Sequence, residues 1–341
     1  MKINFNAIDL FSGCGGLSEG LRQAGFEVVA GVEIDKNAAK AYRLNHTDSF
    51  LFEDDIRNLK TEKVKDLLRG KELHLLAGCP PCQGFSSLRR LNRKSSVRDK
   101  RNSLIEEYYR FVKELMPLTI MMENVPGIVN YSLFIDMVKR VKRLGYNVEY
   151  KVVNVADYSV PQRRNRLVLV GSRMDKINVA DGDGKKTTVR EAFRKLKSAI
   201  NGDDLLAIYP KHSDRINKMI SLIPKNGGSR KDLPMEYQLE CHKKKNVGFN
   251  DIYGRLKWDS VASTITGGCL NPSKGRFLHP EEDRCISARE AALLQTFPID
   301  YRFPLSIPRA ELALLIGNAL PPQFTKVQAS NILTHLKSKV S

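Results

Sequence analysis

Asn6-Ala7-Ile8-Asp9-Leu10-Phe11-Ser12-Gly13-Cys14-Gly15-Gly16-Leu17 is the stretch whose reading decides the fold. Asn6 to Leu10 is short and mostly apolar, the pattern of a buried strand. Glycines follow. Leu17, Leu21 and Ala24 then recur at helical spacing, and Gly25 closes the helix. Strand, glycine turn and helix in that order let a ligand approach the backbone at a helix N-terminus. Counted as G-x-G-x-x-G from Gly13, the third glycine position holds Ser18, so the dinucleotide fingerprint is imperfect. Glu33 lies 20 residues after Gly13, near the end of the next strand, where an acid binds ribose hydroxyls. Asp55-Ile56 follows a third candidate strand, a place from which a carboxylate accepts from an adenine amino group. The same features also fit a generic turn flanked by two exposed acids.

Outward from this unit the alternation continues. Val28 to Ile34, Leu73 to Ala77, Leu118 to Met122, Val148 to Val155 and Arg166 to Gly171 read as further strands, and helices fit 103–115 and 132–144. The alternation predicts an α/β fold: a doubly wound, mostly parallel sheet with helices on both faces. From about residue 173 the texture changes. Residues 173–260 are rich in Lys, Gly, Asp and Asn, with turn signals at Asp181-Gly182-Asp183-Gly184 and Asn226-Gly227-Gly228. This predicts a smaller, irregular insert ending before residue 280. A helical pattern returns at Ser287 to Gln295, and a last helix runs from Pro322 towards Leu336.

Composition narrows the function. The 341 residues suit one large domain or two modest ones, and 42% hydrophobic with 28% charged residues excludes wholesale disorder. No run approaches the roughly 18 consecutive apolar residues of a membrane span. The N-terminus lacks a basic segment followed by a long apolar one, so no signal peptide is expected. Lys and Arg total 56 against 38 Asp and Glu, a net charge of +18. That excess suits a polyanion, nucleic acid above all, although a merely basic soluble protein has the same balance. Six cysteines at irregular spacing argue for a reducing compartment rather than a disulfide framework.

Three further segments carry chemistry, each just after or just before a strand. Gly78-Cys79-Pro80-Pro81-Cys82-Gln83-Gly84-Phe85-Ser86 reads either as a redox or metal Cys-x-x-Cys or as a lone nucleophile, Cys82. Zinc lacks a second Cys or His pair at ligand spacing. A thiolate near positive charge is a strong nucleophile. Met122-Glu123-Asn124-Val125-Pro126 places a carboxyl at a strand end, facing the crevice of an open sheet or standing as an ordinary turn acid. In Gln162-Arg163-Arg164-Asn165-Arg166, Arg164 and Arg166 point the same way if extended, or form a solvated basic edge.

Taken together and in order, Phe11-Ser12-Gly13-Cys14-Gly15-Gly16, Pro81-Cys82-Gln83, Glu123-Asn124-Val125, Gln162-Arg163-Arg164-Asn165-Arg166, Arg289-Glu290-Ala291-Ala292-Leu293-Leu294-Gln295-Thr296-Phe297-Pro298 and Gly317-Asn318-Ala319 resemble the DNA (cytosine-5) methyltransferases. The resemblance spans nearly the whole chain apart from the insert. It implies a sheet of the S-adenosyl-L-methionine-dependent type and methyl transfer from S-adenosyl-L-methionine to C5 of a flipped-out cytosine in a specific DNA sequence. It implies Cys82 as nucleophile, Glu123 as the acid group, and Arg164 and Arg166 in support. It also implies a cofactor site of Phe11, Gly13, Cys14, Gly15, Gly16, Leu17, Glu33, Ile34, Asp55, Ile56, Pro80, Leu104, Asn318 and Ala319, with no metal. The catalytic domain would be 1–172 plus 280–341, its C-terminal helix folding back, and 173–279 would be the target-recognition domain.

The partners implied are double-stranded DNA and a restriction endonuclease sharing the target, with no membrane. The chain would be a monomer in a bacterial or archaeal cytoplasm, associated with the nucleoid. Two other functions are a related enzyme acting on tRNA, whose Cys-Phe-Thr signature is not found, and a catalytically silent nucleic-acid-binding module, against which the intact Cys82 and Glu123 argue. Seven of the 14 residues from Leu88 to Arg101 are basic and one is acidic. They form either a solvated loop or one that closes on phosphates. In the insert, Arg215, Lys225, Asn226, Ser229, Arg230, Gln238, Lys243, Asn246 and Asn250 are candidate base readers, and Gly227 and Gly228 would let a loop enter a groove.

Overall fold

β1 (Asn6–Leu10) is buried at all five positions. Its apolar residues, broken only by Asn6 and Asp9, suit a strand covered on both faces. In the computed structural model it lies between two parallel neighbours, β2 (Glu27–Val32) and β4 (Leu75–Gly78). The structure describes residues 4–81, 104–197, 204–238, 240 and 251–340. With β3 (Phe50–Phe52), β5 (Thr119–Asn124), β6 (Asn147–Asn154) and β7 (Asn165–Ser172), the sheet has seven strands in the order β3-β2-β1-β4-β5-β7-β6. The helices are α1 (Gly16–Ala24), α2 (Lys36–Asn45), α3 (Thr61–Leu68), α4 (Leu104–Leu115) and α5 (Ser132–Arg143). They continue with α6 (Val189–Lys197), α7 (Asp214–Ser221), α8 (Ala288–Leu294), α9 (Arg309–Asn318) and α10 (Pro322–Val340).

The chain first winds outward from β1 to β2 and β3, then returns to place β4 on the other side of β1. Ligands of open α/β sheets bind outside the strand carboxyl ends at such a reversal. The expected α/β, mostly parallel sheet is present, with one reversed strand. β7 runs antiparallel to both β5 and β6. Apolar periodicity does not encode direction, but length does. Residues 155–164 between β6 and β7 are fewer than the dozen or so a parallel crossover needs.

Two units emerge. The first comprises Met1–Tyr158, Asn165–Asp183 and Leu320–Ser341, and the second Ser159–Arg164 and Gly184–Ala319. In the first, Ile8, Leu10, Leu76, Ile120 and Met122 from the strands pack with Phe111 and Phe134 from the helices. Each such side chain contributes roughly 1.5–3 kcal/mol by leaving water. α10 packs on α1. A Cβ on Gly20 would lie 2.4 Å from Thr325 Cβ and 2.6 Å from the Pro322 carbonyl, so only glycine permits this crossing.

These units divide elsewhere than at 172/173 and 279/280. Residues 178–180 are tied to α10, with the Ala180 N–H donating to Gln328 Oε1 at 2.9 Å and Asn331 Nδ2 to the Asn178 carbonyl at 2.8 Å. At the other boundary, fully buried Arg255 donates to the carbonyls of His279 and Glu282, so 280–284 packs with what precedes it. The second unit is also less irregular than its composition suggests. α6 packs with α8, and α8 with α9. A smaller core gathers Met219, Ile220, Ile223, Leu233, Tyr253 and Leu278. Among the described residues no helix is long and apolar enough to cross a membrane.

Candidate active site

The turn after β1 is held from beneath. Ser12 Oγ donates to the Asp9 carbonyl at 2.8 Å and accepts from the Val32 N–H at 3.0 Å. Phe11 (φ 63°) and Gly13 (φ 56°) are left-handed, and Gly15 (φ 93°) starts α1 with no side-chain cap. Glu33, just past β2, accepts from the Gly13 N–H on Oε2 and the Asp35 N–H on Oε1, both at 2.7 Å. Burial raises its pKa, and these two N–H groups oppose that rise. Ile34 beside it is 61% exposed, an apolar face at a strand end.

Cys14 and Leu17 turn inward, and burial pushes the Cys14 thiol up to about 12. Cys14 is thus an inert filler whose backbone, not its sulfur, lines the turn. Asp55 accepts from Arg57 Nε at 2.9 Å, which holds its carboxyl below the usual range. Ile56 is buried in the core, and its carbonyl accepts from Arg110 Nη2 at 2.7 Å. Sequence reading passed over Asp9, fully buried at the end of β1 and hydrogen-bonded to Ser18.

The carboxyl ends of β4 and β5 form the second part. Glu123 is 8% exposed, and Arg166 Nε meets its Oε1 at 2.6 Å. Because β7 is antiparallel to β5, its first residues lie beside the last residues of β5, with Asn124 opposite Leu167. That reversal delivers Arg166 to Glu123. Asn124 Nδ2 donates to the Pro80 carbonyl at 2.8 Å, while its Oδ1 accepts from the Val125 N–H at 2.8 Å. Cys79 is half-buried just past the end of β4, in register beside Glu123 of β5. Leu104 opens α4 and packs on the core. Cys82 and the basic stretch from Leu88 to Arg101 lie outside the described residues.

Arg164 does not share a partner with Arg166. It precedes β7, belongs to the second unit, and donates to the carbonyls of Ile265 (2.9 Å) and Gly317 (2.8 Å). Gln162 likewise binds inside that unit, to the Leu294 carbonyl at 2.9 Å and to Gln295 Oε1 at 2.7 Å. Three sequence motifs are thus braced together: 162–164, 289–298 and 317–319. Asn318 is exposed at the end of α9, and Ala319 follows as its cap.

A family model described as C-5 cytosine-specific DNA methylase matches residues 5–334. The chain belongs to that family. Type II methylase M.HgiDII of Herpetosiphon aurantiacus is 35% identical over 97% of this chain and 95% of its own. Type II methyltransferase M1.HphI of Haemophilus parahaemolyticus is 32% identical over 96% of this chain and 86% of its own. A solved structure described as a DNA modification methyltransferase encoded within a prophage (E. coli) aligns with a TM-score of 0.71 at 26% identity. It covers 98% of this chain and 100% of that one.

S-adenosylmethionine is the methyl donor of this methylase family, and the donor set at β1 and β2 fits it. Glu33 is fixed by two N–H groups and keeps lone pairs for ribose hydroxyls. No heavy atom lies within 4 Å of where a Cβ on Gly13 would stand, so the turn is open on that side. Ile34 offers an apolar face for a base, and the carboxylate of Asp55 is an acceptor.

The proposed base readers fare less evenly. Arg230 is 6% exposed, Ser229 caps the short helix Arg230–Asp232, and Gln238 Nε2 donates to the Leu233 carbonyl at 2.9 Å. Asn226 accepts from the Trp258 N–H at 2.8 Å, and Lys225 pairs with Asp283. Gly228 has an internal reason, since a Cβ there would lie 2.4 Å from the Pro224 carbonyl. Arg215 is exposed on α7. Lys243, Asn246 and Asn250 lie outside the described residues.

Proposed function

We propose that the chain transfers a methyl group from S-adenosylmethionine to C5 of a cytosine flipped out of double-stranded DNA, within a specific sequence. What carries this reading is the Glu123–Arg166 pair at the sheet's carboxyl edge, beside the strand end that leads into Pro80-Pro81-Cys82. Cytosine C5 is a poor nucleophile while the ring is aromatic. Attack of the Cys82 thiolate on C6 breaks that aromaticity and sends an electron pair towards N3. Glu123 hydrogen-bonds or protonates N3 and stabilises the developing charge. Arg166 holds the carboxyl group in place. S-adenosylmethionine supplies the methyl group that C5 takes up. Loss of the C5 proton to a base, then of Cys82, restores the ring. The target atoms are out of reach inside a stacked duplex, so the base must be extruded, as methyltransferases do in general.

Cys14, Leu17, Ile56, Pro80 and Leu104 complete the cofactor site of the first unit in this reading, and Arg164 braces the segment around Gly317 in the second. The segment 173–279, most of it in the second unit, reads the target. Its net contribution is specificity, because the chemistry at C5 is common to every cytosine. A restriction endonuclease with the same target fits the type II naming of the relatives. One base is extruded per reaction, so a monomer suffices. DNA carrying 5-fluorocytosine at the target tests the mechanism, since fluorine cannot leave as a proton does. A covalent adduct is expected, and Cys82→Ser abolishes it. An adduct that survives the substitution would assign the nucleophile elsewhere.

A further inference from the structure

We infer that Cys79 is a positioning residue for Glu123: its thiol donates a hydrogen bond to the Glu123 carboxylate and sets the face that this group turns to the base. The inference rests on the methyl-transfer reading above. Its first support is register. β4 and β5 are parallel with Gly78 opposite Met122, so Cys79, just past the end of β4, stands beside Glu123, which is still within β5. The backbone there is clamped from both sides. The Cys79 N–H donates to the Leu10 carbonyl at 3.2 Å, and the Pro80 carbonyl accepts from Asn124 at 2.8 Å. The strand end is closely packed, since a Cβ on Gly78 would stand 3.0 Å from the Leu10 carbonyl and 3.2 Å from the Tyr108 ring.

The surroundings keep this thiol a donor. Burial comes first, followed by Glu123 on β5 and Asp9 on β1; together they hold the thiol well above its ordinary range, against the weaker pull of Arg166 on β7. Tyr108 on α4 also feels Cys79. A thiol that stays protonated is a poor nucleophile and a poor partner for disulfide exchange. The two cysteines of Cys79-Pro80-Pro81-Cys82 therefore divide their work, Cys82 attacking and Cys79 orienting. Arg166 Nε occupies one oxygen of Glu123, and a single ionic contact leaves the carboxylate free to pivot about it. A second, neutral donor fixes its plane without adding charge, and the remaining lone pairs stay open to the base.

Isosteric variants separate donation from space filling. Cys79→Val keeps the volume and removes the donor; Cys79→Ser keeps a donor. Steady-state kinetics on DNA and calorimetric titration with S-adenosylmethionine are read together. Cys79→Val is expected to lower kcat roughly ten- to hundredfold, the worth of a hydrogen bond to a charged group, with cofactor affinity within about twofold. Cys79→Ser is expected to recover most of that loss. In a Glu123→Gln background, Cys79→Val should reduce the residual single-turnover rate by no more than about twofold, because the two residues act as one unit. Three results would overturn the inference: full activity in Cys79→Val, an equal loss in Cys79→Ser, or additive losses in the double variant. An active Glu123→Gln enzyme would instead sink the acid role of Glu123 and this inference with it, so the two failures are distinguishable.

Discussion

Asp9 and Ser18 share a 2.7 Å hydrogen bond beneath the glycine turn, with the serine hydroxyl donating to Oδ2 of a fully buried carboxyl group. Ser18 Oγ also lies 3.0 Å from the Tyr42 hydroxyl, which lies 3.0 Å from Ser49 Oγ. The residue that spoils the dinucleotide fingerprint is thus the one that donates to Oδ2 of a buried acid.

Burial is the main cause that pushes Asp9 up to about 7, with Glu33 adding to it and Ser18 opposing. In the unfolded chain the same group titrates near its ordinary value of 3.8. The folded state therefore binds the proton more tightly. Stability associated with this group is intact below about pH 4, is lost as pH rises towards about 7, and is absent above it. The span corresponds to roughly 4 kcal/mol. Asp9→Asn should remove this dependence, so its stability advantage over the unaltered chain should grow between pH 5 and pH 8. Denaturant unfolding across that range checks it; a constant difference at every pH would refute the assignment.

Ser18→Gly completes the G-x-G-x-x-G spacing, and a motif-based expectation is improvement. The structure predicts the opposite. Loss of the donor to a buried carboxyl costs roughly 1–3 kcal/mol, and a glycine inside α1 about 1 kcal/mol more. The midpoint of urea unfolding should fall accordingly. A variant as stable as the parent would show that Asp9 finds another donor.

Arg255 is 0% exposed and spends all five N–H groups: on the carbonyls of Ile223 (3.0 Å), Ile220 (2.9 Å), His279 (3.0 Å) and Glu282 (2.6 Å), and on Asp283. Ile220 lies in the last turn of α7, where carbonyls lack helical partners. Arg255→Met strands these acceptors at a cost of about 3–5 kcal/mol. Hydrogen exchange should rise at 214–223 and 279–284, while calorimetric affinity for S-adenosylmethionine stays within about twofold. Unchanged exchange there would contradict this account.

Arg215 and Arg230 should behave differently although both are arginines of the same segment. Arg230 is buried, so Arg230→Ala should lower the melting temperature by the equivalent of about 1–3 kcal/mol. Arg215 is exposed, so Arg215→Ala should leave melting unchanged and reduce the salt slope of DNA binding by about 1. The reverse pattern would exchange their roles.

Much of the first unit was legible in sequence because parallel, doubly covered strands leave unbroken apolar runs between glycines. The α/β fold, the turn at Gly13 and Glu33 at the end of β2 follow from such runs, whereas the pairing of Arg166 with Glu123 depends on the reversed β7. What stayed hidden has physical reasons. Strand direction leaves no mark on periodicity, so β7 was not seen to be reversed. Arg255 looks in sequence like any surface cation of a basic chain, and only its acceptors disclose that it is interior. The sequence offers Gly228 for entering a groove and Arg230 for reading a base, but close backbone packing accounts for the first and burial for the second. Asp9 was hidden for the same reason as Ser18, since neither makes sense without the other.

The place of β7 between β5 and β6 has a consequence for the growing chain. Strand β6 is synthesised first, yet it reaches the sheet only through β7. From the time residue 124 leaves the ribosome until residue 172 follows, the open side of β5 offers unpaired backbone groups to any passing strand. The same late strand brings the guanidinium of Arg166 to Glu123. A nascent protein halted at residue 160 therefore keeps that edge open and leaves Glu123 without Arg166, and the pairing of β7 ends both conditions.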